Sequence, residues 1–435
     1  MSGLARREGY RQVLARPDFA LLWAGQSLSN VGNAMMPVAL AMLVLGRGGG
    51  AGGLGVVLGA QSVARLVGAV LAGGLGDRWR RTRIMIWADV VRVVAVAALA
   101  AGAGSLPTPP LIGFVFAIGV AEGVFLPAFD AVMPRVLPER SLQAGNALNR
   151  ITTQVASLLG PALAGVLVAW TSPEATLWIN EVTFVFSLVS LALIAEPRTV
   201  TGGARVLGVR DAVHQAARDF RDGIRAVASR PWVAASIGMA TIIMTLVVPP
   251  AYVVLALVAN ERLGGPGAYG AVLAAVGFGS VVGLVCVGRL EPRRPGVVAT
   301  AALFTIVGML VSLAFLPLAG VMACWAVAGA GMGIYNLLWT TALQKDVPDE
   351  LLGRVFALDE LGSGAFRPLG YLLTGPVVAL VGTHSVLLAG ALTVAVVAPL
   401  PLLARGGPTF ASPVVAEPAL AGSSTDLTTI EEGRR

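Results

Sequence analysis

The sequence predicts an all-α membrane protein with twelve transmembrane helices in two pseudo-symmetric six-helix bundles. Three observations predict it. The 435 residues are 56% hydrophobic and only 13% charged, with a mean hydropathy of +0.79, whereas soluble chains carry roughly 25% charged residues. Twelve segments are each apolar and long enough to cross a bilayer, whose hydrocarbon core of ~30 Å takes about 20 helical residues. A block of sequence recurs 210 residues further on. Disorder of the bulk is excluded, because it requires low hydrophobicity and high charge. Two cysteines cannot form a disulfide scaffold.

The spans fall near 18–46, 53–75, 84–104, 110–132, 144–170, 175–195, 232–259, 268–288, 297–316, 319–343, 352–381 and 385–404. The first lacks a cleavage site and is too long for a signal-peptide core, so it is read as retained. Twenty-five of the 31 basic residues lie in one set of connectors or at the termini, and only Arg47 and Arg262 lie in the other. By the positive-inside rule this places both termini in the cytoplasm and requires an even number of spans. The net charge of +7 is therefore topological; no nucleic-acid motif accompanies it, and the expected macromolecular partner is the lipid bilayer. Lys345 is the only lysine, and the bias to Arg, Ala, Gly and Val is that of a GC-rich bacterial genome. The expected location is a bacterial cytoplasmic membrane.

Four regions follow: an N-terminal bundle (1–195), a linker (196–231), a C-terminal bundle (232–404) and a tail (405–435). The linker opens with Pro197, Gly202 and Gly203 and continues as an amphipathic helix over 211–230, with Val213, Ala217, Phe220, Ile224 and Val227 at helical spacing. It is expected to lie on the inner membrane surface. The tail is rich in Pro, Ser, Thr and acids and is expected to be disordered. The repeat pairs VLPERSLQAGNAL (136–148) with DVPDELLGRVFAL (346–358) and, in the same register, Gly160 with Gly370 and Gly165 with Gly375.

The connector after span 2 reads GGLGDRWRRTR (73–83). It resembles the signature loop of the major facilitator superfamily, with Gly73, Leu75, Asp77, Arg78 and Arg81 at matching positions and departures at Arg80 and Thr82. FALLWAGQSLSNVGNAMMPVAL (19–40), ADVVR (88–92), FLPAFDAVMPRVLP (125–138), GNALNRITTQVASLLGPALAG (145–165) and GRVFALDELGSGAFRPLGYLLTGP (353–376) resemble its drug and siderophore exporters, the macrolide or enterobactin exporter-like branch. The resemblance implies the major facilitator fold and secondary active efflux. It also implies that Asp77 docks against the start of span 11 in the outward-facing state, where a helix N-terminus stabilises an anion by roughly 0.3–1 kcal/mol. Glycines 73, 74 and 76 are expected where helices approach closely. Arg78 and Arg81 are expected to pair with neighbouring acids such as Asp130.

Charges inside spans are costly and mark partners or pathways. Arg65, Glu122 and Arg367 fall near mid-span, Asp359 and Glu360 two turns into span 11, and Glu181 two turns into span 6. Asp89 and Arg92, three apart, share a face and can neutralise each other. Glu122 is the acid expected to couple protons, with Arg65, Arg367 and Asp359 as further candidates; a fixed ion pair between Glu122 and Arg65 or Arg367 is the competing reading. Many proton-coupled relatives carry an Arg in span 4, and this chain has none there. Polar stripes on span 1 (Gln26, Asn30, Asn33), span 5 (Asn146, Asn149, Thr153, Ser157) and span 10 (Asn336, Thr340, Gln344) either line a cavity, the favoured reading, or bond helices together. GPALAG (160–165) resembles the antiporter signature of span 5; Gly160, Pro161 and Gly165 are expected to kink that helix, since proline removes a backbone donor.

There is no nucleotide-binding loop of the G-x-x-x-x-G-K type, and His214, His384, Cys286 and Cys324 are too scattered for a metal site. No cofactor is expected beyond a proton gradient as energy source, and no catalytic residues. The favoured function is export of an amphipathic small molecule (a drug, natural product or siderophore) by alternating access and proton antiport, for which a monomer suffices. A nutrient facilitator or importer, and a non-transporting receptor or scaffold, are the alternatives.

Overall fold

A computed structural model describes residues 10–76, 79–194, 209–288 and 292–412, and every regular element among them is helical. The first half holds a short α1 (Tyr10–Leu14) and six long helices: α2 (Pro17–Gly46), α3 (Gly50–Gly76), α4 (Arg81–Gly102), α5 (Thr108–Val136), α6 (Glu139–Trp170) and α7 (Pro173–Ala192). The connector contributes α8 (Val209–Ala228). The second half holds α9 (Pro231–Leu246), α10 (Val248–Val258) and a π-helical turn (Ala259–Leu263), then α11 (Pro266–Val287), α12 (Pro295–Leu303), α13 (Thr305–Phe315), α14 (Leu318–Asp346), α15 (Asp349–Gly364), α16 (Arg367–Val397) and α17 (Leu400–Leu403).

Among the described residues eleven helical runs are long and apolar enough to cross a membrane. The last, Asp349–Leu403, has 55 residues; straight, it would reach roughly 80 Å, far beyond one bilayer. The chain turns back at Gly382, whose φ of 79° and ψ of 163° are non-helical inside α16 and suit glycine alone. Twelve crossings result. The other interruptions have local causes. Pro249 and Pro250 lack the N–H that a continuous helix needs, and span 7 breaks at Val247 between α9 and α10. Pro368 does the same to span 11, between α15 and α16.

The internal repeat is structural as well as sequential. Pro138 caps the start of α6 and Pro348 the start of α15, at equivalent positions of the repeated block. Gly160 packs on Val31 and Ala34 of α2, while Gly370 packs on Thr245 and Pro249 of α9 and α10. Gly165 meets Gly270 of α11, and Gly375 meets Gly52 of α3. The first glycine of each pair seats its helix on the first span of its own half; the second touches the opposite half. Gly119 and Gly123 on α5 rest against the α3 backbone, and Gly329 and Gly333, again 210 residues on, rest against that of α11. In a membrane such small residues are what allow helices to approach this closely.

The first half is braced by a buried ion pair. Arg92 Nη1 lies 3.1 Å from Asp89 Oδ1, both side chains at most 1% exposed. Ser187 of α7 donates to Asp89 Oδ2 at 2.7 Å, and the guanidinium stands 4.5 Å from the Phe125 ring centroid and 5.5 Å from that of Phe184. The neutralising reading of these two residues is what the structure displays.

The connector helix α8 packs on α15: Asp222 lies 3.6 Å from Arg354, Gly223 rests on Arg354 and Leu358, and Phe220 and Ile224 remain exposed. The opening of the connector, with Pro197, Gly202 and Gly203, lies outside the described residues, as does the tail beyond 412. The expectation that the whole tail is disordered is corrected for its first part. A 3₁₀ turn (Gly407–Thr409) follows the left-handed Gly406. Phe410 stacks on Trp232 with ring centroids 5.1 Å apart and meets Trp339 edge-on at 6.1 Å. Ser412 donates to Asp346 through its backbone N–H (2.8 Å) and its hydroxyl (2.7 Å). Asp346 also accepts from Trp232 Nε1 at 3.2 Å and faces Arg230 Nε at 3.4 Å. Burying an aromatic ring against two others outweighs the cost of ordering a few residues, which composition alone did not reveal.

Candidate substrate cavity and gating elements

Between the halves lies a cavity of about 420 Å³. The first half supplies Pro37 from α2, Gln61 and Arg65 from α3, and Gln154, Ser157 and Pro161 from α6; the second supplies Tyr252 from α10, Tyr269 and Ser280 from α11, and Tyr371 from α16. It is closed on the side of the arginine-poor connectors. There Gly52 and Gly55 of α3 touch Gly375 and Tyr371, and Gly165 touches Gly270, with Cβ positions that would fall 2.9 Å from Gly270 Cα. At the opposite end of α3, no described heavy atom lies within 4 Å of a Cβ at Gly73 or Gly74. The expected close approach at those two glycines is therefore absent among the described residues, whereas the arginine-poor ends are in contact. Pro161 lies inside α6, which runs unbroken from Glu139 to Trp170, so no interruption accompanies it.

Arg65 Nε lies 2.8 Å from Glu122 Oε2, with side-chain exposures of 45% and 19%. The packing explains the pairing. Gly123, next to Glu122, lies against the Arg65 backbone, and Gly119 against Gln61 and Ala64, so α5 approaches α3 closely enough for the two side chains to meet. Of the two partners considered for Glu122, the structure selects Arg65. Arg367 stands one turn before Tyr371 on α16 and within electrostatic reach of Tyr252 and Tyr371; the Tyr371 hydroxyl is also within reach of Arg65. Among the described residues no acid lies in ion-pair range of Arg367.

Other expected site residues lie elsewhere. Asp359 accepts a hydrogen bond from Trp339 Nε1 at 2.9 Å, in the aromatic cluster of the second half, so it is engaged away from the cavity. Gln26 donates to Asn30 Oδ1 at 2.9 Å and Asn30 to Thr153 Oγ1 at 3.3 Å; Trp23 Nε1 donates to Thr152 at 3.0 Å. The Trp23–Thr152 and Asn30–Thr153 bonds join α2 to α6, while the Gln26–Asn30 bond stays within α2; of the span 5 stripe, Ser157 lines the cavity. Gln26, Asn30, Thr153, Asn33, Asn149, Asn336 and Thr340 are not among the lining residues. Arg81 lines a smaller pocket beside Gly73 and Pro127. The charge that the structure sets near Asp130 is Arg150 rather than Arg81. Asp77 and Arg78 lie outside the described residues.

The three cavity tyrosines were missed by reasoning from composition. The signal was there: only five tyrosines occur, and four of them (Tyr252, Tyr269, Tyr335, Tyr371) fall in the spans of the second half. The repeated glycine pairs of α5 and α14 were equally readable as G-x-x-x-G at the 210-residue offset.

Twelve crossings in two repeat-related halves with a cavity between them are the architecture of a membrane transporter. The chain belongs to the Major Facilitator Superfamily, whose family model matches residues 22–370. It is 28% identical over 396 residues to the multidrug efflux pump Tap of Mycobacterium tuberculosis, covering 87% of this chain and 91% of that protein. It is 24% identical over 402 residues to macrolide efflux protein A of Streptococcus pyogenes, covering 88% and 95%. Among solved structures it resembles the nucleoside transporter NupG (TM-score 0.65, 11% identity, covering 89% and 98%). It also resembles a bacterial homologue of the human lysosomal transporter Spinster in an inward-facing, unoccupied conformation (TM-score 0.66, 12% identity, covering 91% and 96%). At these identities the structures support the fold alone.

Proposed function

We propose that the protein exports an amphipathic small molecule across the bacterial cytoplasmic membrane by alternating access, as a proton antiporter. The observation that carries this reading is the cavity between the halves, sealed by glycine contacts at one end only. With the arginine-rich connectors in the cytoplasm, together with both termini, the conformation is inward-facing and ready to load from the inside. The efflux relatives supply the direction. One chain contains the whole path, so a monomer suffices.

In the proposed cycle the Arg65–Glu122 pair carries the coupling. A proton taken up by Glu122 neutralises it and frees Arg65 towards the cavity; loss of the proton restores the pair. Asp77, with Gly73, Arg78 and Arg81, forms the gating loop that holds the outward-facing state. Cells overproducing the protein are expected to accumulate less of an exported macrolide or other amphipathic drug than cells lacking it, and a protonophore removes the difference. Equal accumulation across a broad drug panel would contradict export.

A further inference from the structure

Within the spans of the first half, Asp89, Glu122 and Asp130 each have a basic neighbour, respectively Arg92, Arg65 and Arg150. Glu181 of α7 has none among the described residues. It is 7% exposed, and its Oε2 has no hydrogen-bond partner. Leu177 and Phe184, one turn to either side, are fully buried in the apolar core. The helices packed on α7 are α2, α4 and α6, and their charges are spent elsewhere. On α4, Asp89 and Arg92 hold each other, and Arg81 and Arg83 stand at the arginine-rich end. No ionisable residue follows Asp18 in α2, and Arg47 just beyond it donates to the Leu106 carbonyl at 2.6 Å. Glu139, Arg140 and Arg150 lie in the half of α6 nearer the arginine-rich side.

An ionised carboxylate without a partner is costly in such surroundings, so the site suits the uncharged acid. Glutamine would fill the same space without that conflict; what glutamate adds is a proton that can leave and return. A way to water is marked on the same helix. Glu174, in the first turn of α7, is half-buried at the arginine-poor end. It stands two turns before Glu181 on the same face, roughly 10 Å away along the axis.

We propose that Glu181 binds and releases a proton of the transport cycle, exchanging it with the arginine-poor side past Glu174, as a site separate from the Arg65–Glu122 pair. This rests on the proton-antiport reading and adds a second proton site to it. Glu181 does not line the cavity, so it acts on the packing of α7 rather than on the substrate.

The test treats the full-length protein in proteoliposomes with dicyclohexylcarbodiimide, an apolar reagent for uncharged carboxyl groups. The acid O–H adds across one C=N bond, oxygen to carbon and proton to nitrogen. The acyl group then migrates to nitrogen as a stable N-acylurea, which peptide mass spectrometry locates. Trp178 and Val185, beside Glu181, are exposed, so the reagent approaches from the bilayer. Labelling of Glu181 at pH 6 is expected to exceed that of Asp89 and Glu122 at least tenfold and to fall as the pH is raised. Glu181→Gln is expected to keep the wild-type melting temperature and the counterflow exchange of erythromycin, and to lose pH-gradient-driven erythromycin flux tenfold or more. An unlabelled Glu181 at pH 6 would overturn the proposal. So would joint loss of counterflow and melting temperature in Glu181→Gln, which would make the residue structural. Wild-type pH-driven flux that Glu181→Gln leaves unchanged overturns the role of Glu181 alone. Absence of pH-driven flux in the wild type itself overturns the antiport reading, and the second proton site with it.

Discussion

Arg65 and Glu122 meet across two helices, Nε to Oε2 at 2.8 Å, because Gly123 lets α5 rest on the backbone of Arg65 itself. Arginine and acid thus owe their contact to the glycine beside them. Breaking one partner leaves a charge unpaired at the cavity wall. Glu122→Gln is expected to lower stability by about 1–3 kcal/mol, the range for a charge-assisted hydrogen bond, less than a fully buried pair because Arg65 is half exposed. The double variant Arg65→Gln/Glu122→Gln should recover most of this in a thermal-unfolding series. A double variant as unstable as the sum of the singles would show that the two residues do not interact.

Asp89 and Arg92 provide the contrasting case, an ion pair wholly inside the protein. Asp89→Asn should cost about 3–5 kcal/mol, because it strands a buried guanidinium. Replacing both by apolar residues of similar volume should cost much less. Detergent-solubilised yield and melting temperature read the difference.

Gly165 and Gly375 seal the same end of the cavity from the two halves. Gly165→Leu and Gly375→Leu are each expected to hold that end apart and slow transport tenfold or more. A cysteine placed at Tyr269 in either background should become reactive to a membrane-impermeant maleimide added from the arginine-poor side. Unchanged reactivity would mean that these glycines do not form the seal.

Phe410 is 4% exposed between Trp232 and Trp339. Phe410→Ala should destabilise the second half by about 3–5 kcal/mol, the usual cost of deleting a buried ring. Asp346→Asn keeps the shape but loses the charge facing Arg230, and should cost less. Limited proteolysis near the C-terminus would register both, cutting faster in each variant.

Much of the fold was legible in the sequence, since apolar runs and arginine placement are bilayer physics written directly in composition. The repeat was legible too: Gly160 and Gly165 share a register with Gly370 and Gly375, and the structure gives each pair equivalent neighbours. The cavity was less so. Asn30, Thr153 and Ser157 have the spacing of polar faces, but spacing cannot say which residues of a stripe meet the cavity and which bond a neighbouring helix: Ser157 lines the cavity, while Asn30 donates to Thr153 across α2 and α6. Tyr252 and Tyr371 come together only through tertiary packing, on spans far apart in the chain. Ser412 and Phe410 belong to a segment whose composition reads as disordered, and their order comes from partners at Asp346, Trp232 and Trp339.

The central claim is gradient-driven alternating access about the cavity between the halves. It is tested most directly by flux of a macrolide in proteoliposomes holding the purified protein, with an imposed pH gradient and a disulfide cross-link between cysteines introduced at Ala169 and Gly267, where a Cβ at Gly267 would lie 3.9 Å from the Ala169 Cβ, within disulfide range. The account predicts transport against its concentration gradient that needs the pH gradient, stops on cross-linking and resumes on reduction. Flux that persists with the pH gradient collapsed, or that continues through the cross-linked protein, would contradict it.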